Sequence, residues 1–193
     1  IVLTQGHVDH VGGVALFREP ATQVIAQRDL PFCQRDDQRI KQVRESQAGI
    51  WFAEALAAAA AARPQAASAA SAPAVPPLQD MPVADVSFDD VYAFELGGLR
   101  VELYAVPGGE TIDSCVVWPQ HRILFSGNLF GPLFPHFPNF NTIRGDRYRF
   151  AEPYLESLRR VRALEPELLV TGHFEPVEGR ELIRACLDRL EGA

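Results

Sequence analysis

Gly6-His7-Val8-Asp9-His10 sets two imidazoles and a carboxylate within four residues, after the apolar run Ile1-Val2-Leu3 and before the pair Gly12-Gly13. Crowded onto a turn at the end of a strand, such side chains can converge on one point. Imidazole nitrogen and carboxylate oxygen are the donors that zinc, iron and manganese accept. A polar turn that happens to hold two histidines is the plainer reading, and the fixed offsets of several matched residues weigh against it.

Three further segments follow the first in order. They are Val106-Pro107-Gly108-Gly109-Glu110-Thr111, then Phe125-Ser126-Gly127-Asn128, then the strand-like Leu168-Leu169-Val170 running into Thr171-Gly172-His173. Together the four motifs resemble those of the metallo-β-lactamase superfamily over nearly the whole chain. The first is similar to its H-x-H-x-D-H run, with Gln5 where a histidine ordinarily stands. Glu110 falls where the family usually has a Pro-Gly-His-Thr histidine, and alkylsulfatase-like members carry a glutamate there. Asn128 falls where a bridging aspartate is expected, and His173 matches the last metal histidine.

The resemblance implies a fold and a ligand set. The fold is an α/β (α+β) domain, an αββα sandwich. The ligands are those of one or two divalent ions, zinc first, with iron or manganese as alternatives. Asp9, His10 and His173 form an intact second site. The first site keeps His7 but has Gln5 and Glu110 in place of imidazoles, and the bridge is the amide of Asn128. A neutral amide oxygen is a poor ligand where a carboxylate is a competent one, so Gln5 and Asn128 are the weak members of the set. The implied chemistry is hydrolysis of an ester or sulfate ester by metal-activated water, with Asp9 orienting the water besides ligating. A degenerate member that keeps the fold and serves as a binding protein is the alternative, recommended by Gln5 and Asn128. Nothing specifically recognises a lactam carboxylate.

The remaining polar residues have humbler readings. His121 belongs to a hairpin turn, and Trp118 and Trp51 to the core. His136, within an aromatic loop over 131–146, lines a pocket or a surface. Arg144 and Arg147 grip an anion or, more simply, pair with nearby carboxylates. Ser114 and Cys115 have no base at nucleophile spacing.

Composition bounds the partners. With 193 residues, 47% of them apolar, the chain can build one domain over 1–193. No apolar run is long enough for a membrane span. A net charge of −7 and a single lysine, Lys41, disfavour nucleic acid, leaving a small-molecule substrate. Three scattered cysteines fit a reducing compartment better than a disulfide framework, and a cytoplasmic location is the default. The metal motif comes so early that part of the N-terminal sheet is expected to be missing, and an exposed sheet edge would then favour a homo-oligomer.

The elements that must position these residues follow from periodicity. A short helix is expected over 11–18 and a strand over 22–26. A long helix should cover 36–62, where apolar residues recur at threes and fours. An Ala, Ser and Pro stretch at about 63–80 reads as a flexible loop. Strands over 91–96 and 99–106 flank Gly97-Gly98, a hairpin turn. A second hairpin joins 114–118 to 122–125, and amphipathic helices are expected over 147–164 and 180–190. Periodicity alone supports only a generic α/β domain.

Overall fold

The structure, a computed structural model, describes residues 1–51, 53–62, 81–132 and 145–193. The expected loop at about 63–80 and the aromatic loop residues His136 and Arg144 lie outside them. The elements in order are α1 (Val8–Val11), α2 (Val14–Phe17), β1 (Ile25–Gln27), α3 (Leu30–Trp51), α4 (Ala53–Ala62), β2 (Val86–Phe88), β3 (Val91–Leu96), β4 (Leu99–Ala105), β5 (Cys115–Pro119), β6 (Ile123–Gly127), α5 (Ala151–Ala163), β7 (Leu168–Thr171), β8 (Val177–Glu178) and α6 (Arg180–Glu191).

Strands β3 to β8 form one six-stranded sheet in sequence order, and β1 pairs in parallel with β2 in a second sheet. Residues 1–3 extend the smaller sheet: Val2 bridges Ile25, and Leu3 N–H donates to Ile25 C=O at 2.9 Å. Side chains alternate across a strand, and the cores follow that period. Ile25, Phe88, Leu103, Ala105 and Cys115 meet between the sheets. Leu3, Val24 and Ala26 face the other way, against Val11, Val14 and Leu30 of the first helices. Val116, Leu124 and Leu169 of the large sheet face α5 and α6, meeting Tyr154, Leu158, Val161, Ile183, Leu187 and Leu190. Three apolar seams between four layers make the αββα sandwich.

Several local expectations shift. The helix over 11–18 is broken at Gly12-Gly13 into two single turns. The first strand is Ile25–Gln27, later and shorter than 22–26. Helix α5 starts at Ala151, after Phe150 in an extended conformation and 147–149 without regular structure. There Arg147 stacks over the Phe32 ring at 4.1 Å and pairs with Asp36 at 3.5 Å, so it is tied to α3. Strands β2 and β8 are too short to show a period in the sequence. The two hairpins and α6 fall within a residue or two of their expected limits.

The site lies at one end of the large sheet because of pairing direction. Strands β6 and β7 run parallel, so their C-terminal ends deliver Asn128 and His173 to the same edge. Gly172 N–H donates to Gly127 C=O at 2.9 Å there. A Cβ on Gly172 would fall 2.6 Å from Asn128 Oδ1, so any larger residue here would have to displace the Asn128 amide. The loop that carries Glu110 leaves β4 and packs on the start of α5. Ser157 Oγ–H donates to Pro107 C=O at 2.7 Å, and Gly108 takes φ +101° with its missing Cβ 2.4 Å from Tyr154 N. Gly108→Ala combines backbone strain with a backbone clash. It should destabilise the chain by about 2–4 kcal/mol in chemical denaturation, whereas Gly49→Ala, which has open space around it, should be neutral or slightly stabilising.

Candidate metal centre

His7 precedes α1, and Asp9 and His10 lie within it, a single turn too short to be stable by itself. Its anchor is the segment before it. Cys115 N–H donates to Thr4 C=O at 2.9 Å, and Thr4 side-chain atoms would lie 3.0 Å from a Cβ on Gly127, which takes φ +53°. Thr4 Oγ1 in turn sits 3.1 Å from His10 Nδ1. With the Nδ1 proton given to that hydroxyl, Nε2 carries the lone pair, the tautomer a metal ligand needs.

Asp9, His10 and His173 each offer a ligand atom, and all three lie within 4.8 Å of one another. Asp9 Oδ2 is 3.6 Å from His10 Nε2 and 3.5 Å from His173 Nε2. Ligands about 2.0–2.1 Å from one small ion lie about 3.3 Å apart when tetrahedral, so modest tightening would make these three a shell. His10 is only 9% exposed, and its Nε2 has no hydrogen-bond partner. A buried, unpaired lone pair facing a carboxylate and a second imidazole is what a cation would relieve. Burial is the largest influence on His10 and holds its pKa below the ordinary value despite Asp9, keeping the ring neutral for ligation. The triad fits a divalent ion.

The other half of the expected ligand set forms a different kind of structure. Glu110 Oε2 accepts from Gln5 Nε2 at 3.1 Å, from His7 Nδ1 at 3.1 Å and from Asn128 Nδ2 at 3.0 Å. Gln5 Nε2 also lies 3.1 Å from His7 Nδ1, and the Gln5 side chain is buried. Burial opposes charge on both Glu110 and His7, and their mutual hydrogen bond and attraction outweigh it. The carboxyl is held well below its usual range, and the imidazole is raised above its own. The arrangement is an ion pair braced by two amides, with Arg149 3.9 Å from the other carboxylate oxygen.

The cleft above both halves has a volume of about 590 Å³. Helix α3 forms its far wall with Asp37, Lys41 and Arg44, and Arg44 is held by a bidentate pair with Asp37. A smaller apolar cavity of about 150 Å³, lined by Phe32, Pro107, Ile112, Tyr148 and Phe150, shares His7 and Glu110 with it.

The motif spacing gave no sign of α3, Arg149 or Thr4 at the site, although Thr4 opens the first motif. It also missed Asp113, a buried acid whose carboxylate would be 3.0 Å from a Cβ on Gly6 and whose pKa burial raises. His121 is exposed in the β5–β6 turn, and Trp118 packs on the helix-side core. Cys115 is buried with Sγ–H donating to Leu3 C=O, its pKa pushed by burial to about 12, which makes it inert as a nucleophile.

A model of the metallo-beta-lactamase superfamily matches residues 1–173, and the chain belongs to that superfamily. Over 102 residues it is 32% identical to the linear primary-alkylsulfatase of Pseudomonas sp. (strain ATCC 19151), a stretch covering 52% of this chain and 19% of that protein. The stereoselective inverting sec-alkylsulfatase Pisa1 from Pseudomonas sp. shares the fold with a TM-score of 0.69 at 18% identity, over 98% of this chain and 31% of that one. An archaeal superfamily protein from Sulfolobus tokodaii does so with a TM-score of 0.61 at 21% identity, over 98% and 66%. The chain thus spans about a fifth of the primary alkylsulfatase and about a third of Pisa1.

Two measurements test the geometry. Thr4→Val removes the acceptor for His10 Nδ1 and should weaken zinc binding about 10- to 100-fold in calorimetry. In metal-free protein, proton NMR should find His7 titrating above its ordinary value, and Glu110→Gln should lower it, because burial is then opposed by the attraction of Asp9 alone. A raised histidine stabilises fully below its unfolded pKa, about 6.5, and loses that as pH rises through the folded value. A depressed glutamate stabilises above about 4.3 and loses that as pH falls. The pair therefore contributes most between about pH 4.3 and 6.5.

Proposed function

We propose that the chain is a metal-dependent hydrolase acting on an ester or sulfate ester, with a divalent ion, zinc first, held by Asp9, His10 and His173. The observation that carries this reading is the buried, unpartnered His10 Nε2 facing Asp9 and His173, which line an open cleft. A divalent ion held by these residues would lower the pKa of water toward neutrality and polarise an oxygen borne by the carbon or sulfur under attack. Asp9, half exposed like His173 and beside the enclosed His10, would both ligate the ion and orient the attacking water.

The rest of the cleft would sort substrates. Lys41 and Arg44 give the α3 wall cationic groups for an anionic head, each beside an acid of the same helix, Glu45 and Asp37. The cavity around Phe32, Ile112 and Phe150 suits an apolar substituent. The alkylsulfatase relative supports a sulfate ester as the first class to try.

A second reading, a fold-retaining binding protein, is favoured by the two amides Gln5 and Asn128 within the ligand set. Zinc-loaded protein should hydrolyse at least one of p-nitrophenyl sulfate, p-nitrophenyl butyrate and a linear alkyl sulfate. Chelation should abolish turnover, and Asp9→Asn should lower kcat/KM on the order of 100-fold or more. Metal uptake with no turnover on the whole panel would leave the binding protein as the standing reading.

A further inference from the structure

We propose that this centre takes a single metal ion, at Asp9, His10 and His173, and that the cluster of Gln5, His7, Glu110 and Asn128 is a permanent hydrogen-bonded structure standing where a second ion would otherwise be. The inference rests on the hydrolase reading above and narrows it.

Distance alone does not separate the two possibilities. Gln5 Nε2, His7 Nδ1 and Glu110 Oε2 mark a triangle about 3.1 Å on each side. That spacing suits the ligands of a small ion and equally suits nitrogen and oxygen joined by hydrogen bonds. The chemistry of the donors decides. One carboxylate oxygen faces three N–H groups, more donors than it has lone pairs, and all three turn their positive ends toward it. A cation seated there would have to displace those bonds and would meet an amide on two sides.

Rotating the Gln5 amide does not solve this. Its Oε1 would then stand about 3.1 Å from the Glu110 carboxylate oxygen, acceptor against acceptor, so in the ion-free protein the buried Gln5 side chain holds the donor orientation, and an ion would have to turn it. Charge points the same way. Glu110 is the sole acid in this cluster, and it is already matched by His7 and by Arg149 3.9 Å from its second oxygen. Asn128 adds no charge between the two halves. The triad differs in its donors: an acid not saturated by amides and two imidazole nitrogens, one of them, His10 Nε2, buried without a partner. Asn128 Oδ1 is also buried and unpartnered, but it is a neutral amide oxygen lying beside Gly172.

The test is metal stoichiometry on the metal-stripped 193-residue chain, titrated with zinc and read by calorimetry and elemental analysis. One equivalent is expected, its Kd weakened more than 100-fold by His173→Ala and changed less than threefold by Glu110→Gln. A downfield imidazole N–H signal from His7 should persist in the zinc-loaded protein, since a bound ion would remove that proton. Circular dichroism checks each variant, and Gln5→His combined with Asn128→Asp supplies an independent arm, expected to raise uptake from one equivalent toward two. Two equivalents in the parent chain, or one that Glu110→Gln abolishes and His173→Ala spares, would overturn the single-ion inference and leave the hydrolase reading standing. No zinc uptake at all would overturn both.

Discussion

The site depends on one seam, where the first residues of the chain are clamped to the large sheet. Cys115 N–H bonds Thr4 C=O, Cys115 Sγ–H bonds Leu3 C=O, and the Thr4 side chain rests on the bare backbone of Gly127. Helix α1 is a single turn with no side-chain cap and has no stability of its own to offer. Its histidine and aspartate are placed because the residues before them are fixed. Through Thr4 the same clamp reaches the His10 ring and sets which nitrogen faces Asp9.

The two halves of the site obey different electrostatics although they are neighbours. In the triad, burial keeps His10 neutral, as ligation requires. In the Glu110 cluster, attraction between His7 and the carboxylate prevails over burial, and the result is an ion pair. The scale of the problem for two ions is set by Coulomb's law: two dications about 3.5–4 Å apart repel by on the order of 15–20 kcal/mol at an effective dielectric of about 20. Only a bridging anion makes such closeness tolerable, and Asn128 is neutral.

How much of this could be read from sequence follows from the physics of each part. The hairpins at Gly97-Gly98 and His121-Arg122, and helix α6, are local, and their periods and turn residues carry them. Residues 25–27 and 86–88 pair across more than half a hundred positions, a contact with no local pattern, so β2 went unseen. The motif spacing pointed to Asp9, His10 and His173, which the structure brings together. Spacing also placed Gln5, His7, Glu110 and Asn128 at the site, and they do meet, but that they meet as donors around one oxygen is visible only in three dimensions. Arg149 and the α3 wall reach the site by tertiary packing alone.

The triad draws its members from the two ends of the chain, Asp9 and His10 from a turn before the first strand and His173 from the far side of β7. A bound ion would therefore act as a cross-link closing a loop that contains almost the whole domain. Closing so long a loop is entropically costly in an unfolded chain, so the ligands cannot assemble early, and only a sheet already paired through β7 presents them together. Metal would favour the native state by mass action and would arrive as the last piece of folding, so that tight binding reports on whether the whole sandwich has closed.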